Sequence, residues 1–173
     1  MPKKEMDTLV WNNLYWMIER SYQQTLCCQR YVDRKRKAKR RINLALVIIP
    51  GLSGLAYFWE PVATAVGAGI TAIGQFFNNV LPLLSQPDTD LSELDELSKK
   101  FADVCNEAEN LVVKFKTEKE FGNSQIQKIY KKLQERLNEL ESRSNVLIHH
   151  VSNKENNYLK QETLIYLKKY ANG

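Results

Sequence analysis

Cysteine and histidine are too scarce in this chain to organise it. Cys27, Cys28 and Cys105 give no disulfide framework: the adjacent pair would bridge only with strain, and an odd count leaves one thiol over. The two histidines are neighbours, His149 and His150, and no CxxC pair or HExxH run accompanies them. That argues against a structural zinc site, and no metal or cofactor is expected. No glycine-rich phosphate loop, GxSxG elbow or recognisable carboxylate pair occurs, so an enzyme is not expected either. The period-two alternation of strands is missing throughout. Charge is nearly absent from residues 42–84, where Glu60 stands alone.

The charge that is present divides unevenly. Residues 1–41 hold eleven Lys/Arg against four Asp/Glu, a net of +7, while residues 85–173 hold fourteen basic and fifteen acidic side chains, a net of −1. The basic pI therefore describes an amino-terminal arm. The uncharged run 43–59 is seventeen residues long, about 26 Å as a helix, and Glu60-Pro61 separates it from twenty-three uncharged residues at 62–84. The pattern predicts a two-helix transmembrane hairpin over 42–84 with Tyr57, Phe58 and Trp59 at an interface. Arg34, Lys35, Arg36, Lys37, Lys39, Arg40 and Arg41 just before it would face anionic lipid headgroups. By the positive-inside rule they would hold both termini in the cytoplasm of a bacterial inner membrane. Double-stranded DNA binding is not expected, because a nucleic-acid patch leaves the adjoining hydrophobic block unexplained.

Within this hairpin Pro50, Gly51 and Gly54 are hinge candidates, although a tolerated kink explains them as well. Thr64, Ala68, Thr71, Gln75 and Asn78 recur at helical spacing and form a small, polar stripe. Close helix packing is the plain reading and a pore lining in an oligomer the sharper one. Glu60 would then ring the outer mouth.

The flanking segments, 1–41 and 85–173, read as helical. Met6, Val10, Leu14, Met17 and Ser21 form one row of the first, with Trp11, Tyr15, Ile18, Tyr22 and Leu26 beside it. Leu94, Leu97, Phe101, Val104, Ala108, Leu111 and Phe115 step by threes and fours, and after a turn at Gly122-Asn123-Ser124 the rhythm resumes from Ile126 to Val151. The spacing predicts an antiparallel helical hairpin or coiled coil that joins the first helix in a bundle and favours self-association. The fold class is all-α.

The runs Leu14–Tyr22 (LYWMIERSY) and Tyr31–Arg41 (YVDRKRKAKRR), followed by two apolar segments, resemble the SLATT family over about residues 9–85. Those are two-transmembrane effector domains associated with bacterial nucleotide-signalling defence. The resemblance implies a homo-oligomeric, ligand-gated effector of an anti-phage system that permeabilises the membrane on a nucleotide or oligonucleotide signal. That signal would be received directly or through a sensor partner made by a neighbouring gene. The rival readings are a coiled-coil scaffold without conductance and a holin-like lysis protein.

Overall fold

The computed structural model describes residues 8–56, 69, 72, 74, 75, 86–118 and 122–171. The chain is all-α: no strand occurs among the described residues. The helices are α1 (Thr8–Ala56), α2 (Asp88–Thr117), α3 (Asn123–Leu147) and α4 (Asn153–Ala171). Two compact units result, one from Met1–Tyr31 with Ser92–Gly173 and the other from Val32–Leu91.

The first unit is built on the stripes visible in the sequence. Leu94, Leu97, Phe101, Val104, Ala108, Leu111 and Phe115 of α2 are all buried, as are Val10, Leu14, Met17 and Ile18 of α1. From α3 come Ile126, Leu133, Leu137 and Leu140, and from α4 Leu159 and Leu167. Each fully buried aliphatic or aromatic side chain contributes roughly 1.5–3 kcal/mol by leaving water. Small polar residues sit among them without penalty, because their hydroxyls return to their own helices. Ser21 Oγ donates to Met17 O at 2.7 Å, Thr25 Oγ1 to Ser21 O at 2.9 Å, and Thr163 Oγ1 to Leu159 O at 2.8 Å.

Ion pairs and ring contacts fix direction. Glu93 of α2 meets Arg143 of α3 at 2.5 Å, and Glu107 meets Arg136 at 2.8 Å. As the number rises on one helix it falls on the other, so the two run antiparallel, as the turn at Gly122 predicts. Tyr22 stacks on Tyr166 and Arg30 lies over Tyr158, which sets α1 and α4 antiparallel in the same way.

Helix ends follow from local chemistry. Asp88 and Asp90 occupy the first turn of α2, and Lys114 and Lys116 the last, each complementing the helix dipole. Gly122 caps α3 in extended conformation, and its N–H donates to Gln125 Oε1 at 2.9 Å. The sequence predicts two helices over 85–173, and three are found. The break falls at residues 148–152, where Ser152 Oγ accepts the Glu155 N–H at 3.3 Å and starts α4.

The second unit corrects the expected location. Among the described residues, no helix is long and apolar enough to cross a membrane. In α1 the basic run ends at Arg41, and the uncharged stretch 43–56 follows it within the described residues. The expectation of an integral bacterial inner-membrane protein with cytoplasmic termini is therefore overturned. Leu44 and Ile48 of that stretch are exposed, at 62% and 48%. Of the second expected span, 62–84, only Gly69, Ala72, Gly74 and Gln75 are described, and all four are helical.

Candidate functional site

A cleft of about 550 Å³ lies in the first unit, within the range of small-molecule sites. One face of α1 forms its floor: Trp16, Glu19, Arg20, Gln23, Gln24 and Cys27. Steps of three and four place these on one side of a helix, next to the buried row Met17, Ser21, Thr25 and Cys28. The α3–α4 junction supplies the opposite wall, with Asn145 from the last turn of α3, Ile148 and Val151 from the loop, and Asn156 and Leu159 from α4. The break after Leu147 makes the cleft, because an uninterrupted helix would carry Val151 and Asn156 away along its axis.

Arg20 organises the charge. Its Nε donates to Glu141 Oε1 and its Nη2 to Glu141 Oε2 at 2.7 Å, a two-pronged contact between helices α1 and α3. The arginine side chain is 46% exposed and the glutamate only 8%. The hydrogen bond to Glu141 holds the Arg20 guanidinium above its ordinary pKa. The same guanidinium lies over the Trp16 ring, 5.0 Å from its centroid. Beneath the cleft, burial pushes the Cys28 thiol up to about 12, which leaves it inert as a nucleophile.

A second polar cluster ties α1, α2 and α4 together away from the cleft. Glu109 accepts from Tyr166 Oη and from Lys169 Nζ, the latter at 2.8 Å, while Tyr166 stacks on Tyr22 at 3.7 Å. Burial works to raise the Glu109 carboxyl, but hydrogen bonds from Lys169, Tyr166 and Tyr170 outweigh it and hold the group low. Burial and the Glu109 contact push the Tyr166 and Tyr170 phenols well above their usual range. Cys105, nearby, is also raised by burial. With every member engaged, the cluster reads as a structural clasp.

The residues expected from the sequence lie elsewhere. Pro50, Gly51 and Gly54 are helical within α1, and Gln75 is helical and exposed. Glu60, Thr64, Ala68, Thr71 and Asn78 lie outside the described residues. Of the basic run, Arg34, Arg36, Lys37, Arg40 and Arg41 are exposed, while half-buried Lys39 meets Asp88 at 2.6 Å and Lys35 is half-buried. Sequence reasoning missed the cleft, although the polar row Glu19, Gln23 and Cys27 beside a buried row was a usable signal. Among the described residues no group of His, Cys, Asp and Glu could hold a metal ion. No family model, no curated protein and no solved structure matches the chain.

Proposed function

We propose that this chain is a non-enzymatic receiver and effector, which takes up a small signalling ligand in the cleft between α1 and the α3–α4 junction and responds by self-association. The cleft carries this reading: it is an open polar pocket built from an unbroken helix and a helix–helix break. Two such elements can change their mutual packing when a ligand prefers one arrangement. α1, which forms one wall of the cleft, is a continuous helix over Thr8–Ala56. The resemblance to SLATT domains suggests the signal class, a nucleotide or oligonucleotide, and the setting, a bacterial anti-phage defence system. It also suggests an output, membrane permeabilisation by an oligomer, which is separable from reception. The supporting sequence features are the aromatic-to-basic run of α1 and the apolar stretches after it.

The test is sedimentation of the full-length chain with cyclic diadenylate, cyclic diguanylate and short oligoadenylates, alongside dye release from vesicles of anionic lipid. A ligand-dependent rise in mass supports the receiver, and dye release under the same conditions adds the permeabilising output. Unchanged mass with every ligand, in protein that remains folded, refutes it. A non-conducting scaffold is favoured by one observation, the exposed Val113, Leu164 and Ile165 on α2 and α4. A scaffold binds a partner protein there and ignores the nucleotides.

A further inference from the structure

The ionic content of the cleft decides what it accepts. Glu19 and Arg20 line it, and Glu141 is bound to Arg20, so these three side chains sum to −1. Among the described residues, no lysine and no second arginine lines the cleft. A phosphate entering it would shed water against the Glu19 carboxylate, with the one guanidinium already committed to Glu141. The rest of the lining has another character. The Arg20 guanidinium lies over the Trp16 ring, 5.0 Å from its centroid, and Gln23, Gln24, Asn145 and Asn156 contribute four carboxamides. Indole and guanidinium planes both serve as stacking platforms for heterocyclic rings. Each carboxamide offers donors and an acceptor, which suits a ring edge that presents both. The two-pronged Glu141 contact fixes the guanidinium plane, so the platform exists before a ligand arrives.

We infer that the cleft takes an uncharged planar heterocycle, its face on the Trp16–Arg20 pair and its edge on the carboxamides, with any phosphate of the ligand left outside. This rests on the receiver reading above and names the part of the ligand that is recognised. Arg30 lies one turn beyond Cys27 on the same face of α1, exposed over the Tyr158 ring, and is available to a charged tail.

The experiment uses the full-length chain with Trp11→Phe and Trp59→Phe, so that Trp16 is the only indole and its fluorescence reports the cleft. Adenosine, guanosine and inorganic pyrophosphate are titrated separately. The expected result is saturable quenching by a nucleoside and none by pyrophosphate. Gln23→Leu or Asn156→Leu, each on a half-exposed or exposed side chain, should then weaken the nucleoside about tenfold. Arg20→Lys keeps the charge but removes the plane, and it should weaken binding to a similar degree. Binding of pyrophosphate without either nucleoside overturns the inference and leaves the receiver reading standing with an anion site. No binding of any of the three also overturns it. In that case the sedimentation panel above decides whether reception itself fails.

Discussion

Breaking the Arg20–Glu141 pair from its two sides should cost unequal amounts. Glu141 is 8% exposed and Arg20 is 46% exposed, so removing the arginine strands a buried carboxylate, whereas removing the carboxylate frees a guanidinium that water already reaches. A buried charge deprived of its partner costs about 3–5 kcal/mol. Arg20→Met therefore belongs near the lower end of that range, about 3 kcal/mol, because the cleft admits some water to the site. Glu141→Gln keeps an acceptor for Arg20 and loses only charge assistance, about 1 kcal/mol. Replacing both partners, Arg20→Met with Glu141→Leu, removes the stranded charge and should recover most of the deficit of Arg20→Met. Urea unfolding of the parent chain and these three variants, followed by circular dichroism, gives the comparison. If Glu141→Gln proves as damaging as Arg20→Met, or the double variant is worse than Arg20→Met alone, the account of burial asymmetry is wrong.

Three further expectations concern the frame around the cleft. Ser152→Ala removes the cap of α4 and should cost about 1 kcal/mol, with faster amide exchange confined to the first turns after residue 152. Leu137→Ala, at a fully buried α3 position, should cost about 2–5 kcal/mol; a loss under 1 kcal/mol would mean that α3 does not pack as described. Glu109 has a folded pKa below its unfolded value, so its stabilisation is present above the unfolded value near 4.3 and is lost as pH falls through the folded one. Stability measured from pH 6 down to pH 2 should fall less steeply in Glu109→Gln than in the parent chain. Tyr166 and Tyr170 have raised folded values, so their contribution holds below about pH 10 and fades above it. Their absorbance at 295 nm should ionise only after that of a free tyrosine.

The helical stripes were legible because burial and periodicity coincide. Every residue of the row Leu94 to Phe115 reached the core, since most of the remaining positions carry charged or small polar side chains. The boundary between α3 and α4 was harder to see. Leu147 to Val151 keeps the step of four, and no glycine or proline marks residues 148–152, so the rhythm runs straight across the break. The overlooked signal was Ser152-Asn-Lys-Glu155, a helix start written into an apparently continuous helix. The cleft was hard to read for a different reason. Its walls come from residues more than a hundred positions apart, and neither Arg20 nor Glu141 announces its partner in sequence. Of the expected first span, 43–59, the described residues reach Ala56, and among the described residues no helix is long and apolar enough to cross a membrane.

Hydrogen–deuterium exchange of the full-length chain, with and without the cyclic dinucleotide and oligoadenylate panel, tests ligand reception most directly. The account predicts ligand-dependent protection in peptides covering 16–27 and 145–159, the two walls of the cleft. Protection that appears elsewhere while both walls stay unchanged, or no change with any member of the panel, would contradict it.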